Sequence, residues 1–170
     1  SPKGMPAADD LPELFGPVIL DFDGDGRMDV AANLSWSAHS PAPSLAAFRN
    51  LGGYAFTPLT VDDVDYHHIV AGDFNGDGLD DILALDRGES WKEDDRVLFY
   101  KGKKDGTFAA SVATKVGDSG GELKAGDMNG DGKLDIFSND YGMSGDYYPG
   151  WIMLGKGNGR FSPRKNLPKP

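Results

Sequence analysis

The chain has 170 residues, 39% hydrophobic and 26% charged, with a formal net charge of -10 and no cysteine. That length suits one domain, and the absence of Cys excludes disulfides, thiolate zinc sites and cysteine nucleophiles. The negative balance argues against nucleic acid, which calls for clustered Lys and Arg, and no apolar run approaches the roughly 18 residues that span a bilayer.

Of the 27 acidic residues, only Glu13, Glu89, Glu93 and Glu122 are not Asp. Asp favours turns and caps over helix interiors and is a common ligand of hard cations. With 24 glycines and no sustained 3.6-residue apolar period, the chain reads as all-β and turn-rich. It starts at Ser1 with no leader pattern, which reads as a trimmed start. Residues 1–15 form an N-terminal segment. Its Ser1-Pro2-Lys3 and Leu11-Pro12 resemble Ser162-Pro163-Arg164 and Leu167-Pro168, so two readings stand, a stray fourth strand or an ordinary Pro-rich tail.

Three copies of one unit follow, at 16–65, 66–120 and 121–170. Asp21-Phe-Asp-Gly-Asp-Gly-Arg-Met-Asp29 returns as Asp73-Phe-Asn-Gly-Asp-Gly-Leu-Asp-Asp81 and as Asp127-Met-Asn-Gly-Asp-Gly-Lys-Leu-Asp135. A Gly-containing turn that ends in Phe56, Phe108 or Phe161 keeps its spacing behind each loop to within one residue. In each unit, strand A precedes the loop (Gly16 to Leu20, His68 to Gly72, Leu123 to Gly126). Strand B follows it (Val30 to Leu34, Ile82 to Leu85, Ile136 to Ser138). Strand C is Leu45 to Arg49, Val97 to Lys101 and Ile152 to Gly155, and strand D starts near Tyr54, Thr107 and Arg160. Repeated four-stranded antiparallel units of this length describe propeller blades, each burying both faces on its neighbours. A twelve-stranded β-sandwich is the alternative, less suited to so strict a register.

Each loop clusters oxygen donors. Positions 1, 3, 5 and 9 are Asp21, Asp23, Asp25 and Asp29, then Asp73, Asn75, Asp77 and Asp81, then Asp127, Asn129, Asp131 and Asp135. The backbone carbonyls of Arg27, Leu79 and Lys133 at position 7 offer a further oxygen. Two carboxylates about 4 Å apart repel by roughly 4 kcal/mol at an effective dielectric near 20, and a divalent ion reverses that sign. An all-oxygen set with several carboxylates suits Ca²⁺, so three structural Ca²⁺ ions are expected. Solvent-facing Asp-Gly turns are the bland alternative. An EF-hand is excluded, because position 12 holds Ala32, Ala84 and Ser138 instead of Glu and the flanks read as strands.

The three units resemble FG-GAP/VCBS repeats, the blades of integrin-α-like propellers and of some fungal and bacterial lectins. The resemblance implies that the Asp loop joins strands A and B and binds Ca²⁺ through the twelve side chains named above. Three blades cannot close a ring, since closed propellers have about four to eight. The chain is therefore half of a six-bladed homodimer, a segment of a longer propeller, or an open stack.

Binding is expected on the B–C loops, where Trp36, Trp91, Tyr141, Tyr147, Tyr148 and Trp151 could stack on sugar faces. The same rings could instead fill gaps between blades. His39, His67 and His68 lack a third zinc ligand nearby in sequence, and Asp62, Asp63 and Asp65 read as a solvated connector. No nucleophile or phosphate-binding motif is present. The expected function is a non-catalytic, calcium-stabilised module, secreted or on the cell surface, that recognises carbohydrate or a cell-surface or matrix protein. A segment of a polysaccharide-active enzyme and a purely structural adhesin part are the alternatives.

Overall fold

In the computed structural model, residues 13–35, 44–62, 68–86, 95–117, 121–141 and 147–168 are described. Among them there is no helix, and three four-stranded antiparallel sheets follow one another along the chain. The first blade is β1 (Glu13–Leu20), β2 (Asp29–Ser35), β3 (Ser44–Gly52) and β4 (Ala55–Asp62), in that spatial order. The second is β5 (His68–Gly72), β6 (Asp81–Asp86), β7 (Arg96–Tyr100) and β10 (Val112–Lys115), with a separate two-stranded ribbon of β8 (Gly102–Lys103) and β9 (Thr107–Phe108). The third is β11 (Leu123–Gly126), β12 (Asp135–Tyr141), β13 (Tyr147–Met153) and β14 (Lys165–Asn166).

Strands A, B and C lie near where the alternation of side chains puts them, with shifted ends: in blade 3, β13 covers Tyr147–Met153 where Ile152 to Gly155 is expected, and β12 runs past Ser138 to Tyr141. Strand A of blade 1 begins at Glu13, three residues before Gly16, and passes through a bulge between Phe15 and Val18. Residues 13–15 thus belong to blade 1; residues 1–12 lie outside the described residues. In blades 2 and 3 the fourth strand starts at Val112 and Lys165, not near Thr107 and Arg160. The reason is the turn's aromatic residue. Phe108 turns away from its own sheet to lie on Phe22, ring centroids 4.8 Å apart, and Phe161 does the same on Phe74 at 6.1 Å. Each detour interrupts the C–D hairpin, and the chain rejoins the sheet only afterwards.

Neighbouring blades meet face to face, with strand A of the middle blade (β5) beside both β1 and β11. Because side chains alternate across a strand, β6 serves two cores at once and is buried along its whole length. Ile82 and Ala84 join Leu20, Phe22, Ala31 and Leu45 between blades 1 and 2. Leu83 and Leu85 join Phe74, Phe99, Ile136, Trp151 and Met153 between blades 2 and 3. Each blade therefore has a trailing face, which covers the next blade, and a leading face, which receives the previous one. Among the described residues the stack is not closed.

Candidate metal centres and the family they mark

Every loop uses its first Asp as a hub. Asp21 accepts hydrogen bonds from the amides of Gly24 (2.9 Å), Asp25 (3.2 Å) and Gly26 (2.9 Å). Asp73 accepts from Gly76, Asp77 and Gly78, and Asp127 from Gly130, Asp131 and Gly132. Closing this ring needs a left-handed backbone at both loop glycines, as at Gly24 (φ 72°) and Gly26 (φ 83°), which an L side chain adopts only at a cost. The three amides, led by that of Gly132, hold the Asp127 carboxyl below its usual range.

The ninth residue has a second task that spacing alone does not reveal. Asp29, Asp81 and Asp135 are each wholly buried. Each tethers its loop to the end of strand C or the residues just after it by accepting two backbone amides. For Asp29 these are Phe22 (3.4 Å) and Asn50 (2.7 Å), for Asp81 Phe74 (3.1 Å) and Gly102 (3.0 Å), and for Asp135 Met128 (2.9 Å) and Gly155 (2.8 Å). Burial pushes the Asp81 carboxyl up to about 6, against the opposing pull of the Gly102 amide and Asn75. Burial raises Asp29 as well.

The loops differ in what faces their carboxylates. In blade 1, ligand-type oxygens of Asp21, Asp23 and Asp29 lie within 4.8 Å of one another. Asp23 Oδ2 is buried, makes no hydrogen bond, and faces the Arg49 guanidinium in an ion pair. Arg49 also lies against Gly106 in the turn of blade 2, so it bridges two blades. Asp25 is turned aside to Arg27, which also donates to the Asn50 carbonyl (2.9 Å). In blade 2, Lys101 Nζ sits 2.8 Å from Asp77; this partner and the Leu79 amide hold the Asp77 carboxyl down despite its partial burial. Asn75 turns its amide onto both oxygens of Asp81 (2.7 and 3.0 Å). In blade 3, Asn129 accepts from the Asp131 amide (2.8 Å), and Lys133 reaches Asp131 at 3.5 Å.

Of the position-7 side chains, Arg27 and Lys133 are exposed, whereas Leu79 is buried and packs on Gly24 of blade 1. The donor set fits a hard divalent cation. It is all oxygen, it gathers three carboxylates in blade 1, and one buried carboxylate oxygen there has only a charge for company.

The aromatic residues proposed for ligand binding separate. Trp36 and Trp91 lie outside the described residues. Tyr141, Tyr147 and Tyr148 belong to the β12–β13 ladder, Tyr141 paired with Tyr147 and Asp140 with Tyr148; their side chains are outside the described set. Trp151 is a correction. It is wholly buried in the core between blades 2 and 3, so it offers no open ring face to a sugar. Its position in β13, opposite Ser138, points it into the previous blade, and Arg164 covers the ring at 5.4 Å.

The loop-strand unit decides the family. The FG-GAP-like repeat matches residues 21–84 and again residues 73–138. The chain belongs to the FG-GAP-like repeat family. Each match runs from one Asp loop into strand B of the next blade. No curated protein matches the chain. FG-GAP-like repeats build propeller-like binding and adhesion modules, and the family is generally non-catalytic.

Proposed function

We propose that the protein is a calcium-stabilised, non-catalytic binding module that works outside the cell or on its surface, with carbohydrate or a cell-surface protein as its ligand. The observation that carries the calcium reading is the convergence of Asp21, Asp23 and Asp29 in blade 1. The same loop recurs twice more in sequence and hydrogen bonding. Asp21, Asp23, Asp25 and Asp29 would hold the ion in blade 1, Asp73, Asn75, Asp77 and Asp81 in blade 2, and Asp127, Asn129, Asp131 and Asp135 in blade 3. A bound ion would neutralise carboxylates that Arg49 and Lys101 offset only in part.

Calcium sites of extracellular modules have dissociation constants of about 10⁻⁴–10⁻³ M, which supports a calcium-rich surrounding. A site at tenfold its dissociation constant contributes about 1.4 kcal/mol, so three contribute about 4 kcal/mol. Calorimetric titration with CaCl₂, paired with thermal melts in millimolar calcium and in chelator, tests the reading. Three bound ions and a melting temperature several degrees higher in calcium are expected; no heat of binding and identical melts would refute it. A glycan array in millimolar calcium then tests the ligand class, with an empty array pointing to a protein partner.

A further inference from the structure

The two internal joints are built alike, and the outer ends of the stack carry the two halves of a third. At each joint the second loop residue of one blade packs against the turn aromatic of the next: Phe22 on Phe108, then Phe74 on Phe161. The corresponding residues at the ends have no such cover. Met128, on the trailing side of blade 3, is 45% exposed, and Phe56, on the leading side of blade 1, is also 45% exposed.

The sheet faces repeat the pattern. Ile19 occupies the place of Ala71, which packs into the first core, yet is 70% exposed. It begins the leading cross-strand row Ile19–Val30–Phe48–Pro58 of blade 1. The trailing row of blade 3 is Lys124–Phe137–Ile152–Lys165, apolar in the middle, with a lysine at each edge whose ammonium can reach water while its stem stays on the sheet.

The turn carries the same mark. Tyr54 stands where blades 2 and 3 have Gly106 and Gly159. It keeps their left-handed backbone (φ 66°) and is fully exposed. In blade 3, the Gly159 amide donates to the Phe74 carbonyl of the previous blade (3.0 Å). At the joint between blades 1 and 2 the Gly106 amide instead donates to the Lys103 carbonyl of its own blade (2.9 Å), so only the second joint uses this conformation to meet the blade before it.

We infer that the leading face of blade 1 docks the trailing face of blade 3 from a second copy of this chain, so that two copies close a six-bladed ring through two identical joints. In that joint Met128 of one copy meets Phe56 of the other, and Phe137 and Ile152 meet Val30 and Phe48. Closed rings of about four to eight blades are the stable form of this architecture, and six lies inside that range. The contact is heterologous but closes after two copies, so no free face remains to drive fibre growth. The inference rests on the strand faces and on the apolar loop and turn residues, not on the cation reading.

The test is light scattering on the whole chain in millimolar calcium over about 1–100 µM, with two variants. One carries Ile19→Lys and Phe56→Asp on the leading face; the other carries Met128→Asp and Ile152→Asp on the trailing face. The wild type is expected at twice the chain mass, each variant alone at the chain mass, and their 1:1 mixture as a dimer through its one intact joint. Circular dichroism and a thermal melt check the fold of each variant. Ile19→Lys alone, a substitution at a largely exposed position, should raise the dissociation constant about tenfold or more. A wild type that stays monomeric at the highest concentration overturns the proposal. So does a trailing-face variant that still dimerises by itself, since that means blade 1 pairs with blade 1. Wild-type species larger than two chains refute ring closure.

Discussion

Replacing Asp135 by Ala separates the structural work of the ninth loop residue from any work it does for a cation. Asp135 is wholly buried and accepts the amides of Met128 (2.9 Å) and Gly155 (2.8 Å), joining the loop to the segment just after strand C of its own blade. Alanine leaves both donors without an acceptor. The Gly155 bond is buried and the Met128 bond only partly so. At about 1–3 kcal/mol for a buried orphan and less for a half-buried one, the loss is about 2–4 kcal/mol. Asp135→Asn keeps one acceptor oxygen and should lose about half as much.

The assay is urea unfolding in chelator, so that no ion contributes, read as a shift of midpoint at constant slope. Faster hydrogen exchange at the Met128 and Gly155 amides should accompany it. An Asp135→Ala protein within about 0.5 kcal/mol of wild type in chelator would refute the tether, and a loss seen only in calcium would assign the carboxylate wholly to the ion.

Three further outcomes follow from the site. Asp81 has its folded-state pKa raised to about 6 by burial, so between the unfolded value and 6 the folded state holds the extra proton. In chelator, stability should therefore fall by of order 3 kcal/mol as pH rises from about 4 to 7, with Asp29 adding in the same direction. Calcium should flatten or reverse that slope, which midpoints measured across the range with and without calcium will show. Arg49→Leu, which copies Leu154 at the matching place in blade 3, strands the buried Asp23 carboxylate. A cost of about 1–3 kcal/mol in chelator, restored by calcium, is expected from paired melts, discounted because Arg49 is itself partly exposed. Trp151→Ala should cost about 3–5 kcal/mol by opening a cavity between blades 2 and 3, measured by urea unfolding.

The repeat itself determined most of the fold. The loops Asp21–Asp29, Asp73–Asp81 and Asp127–Asp135, with short apolar runs on either side, placed strands A, B and C within a few residues, because turn chemistry and two-residue alternation are local properties. Oxygen donors at alternate loop positions were legible for the same reason. Tertiary structure decided what depends on partners far along the chain. It moved the fourth strands of blades 2 and 3, because Phe108 and Phe161 are drawn to the previous blade. It decided between the two readings of Trp151, sugar platform or filler between blades, in favour of the filler, because the parity of β13 points it at blade 2. It also gave the ninth aspartate its backbone tether and set Arg49 on Asp23, contacts across about twenty or more residues that no local spacing encodes. A chain dictates its turns and alternation by itself, but which face is covered, and by what, is settled only when the blades stack.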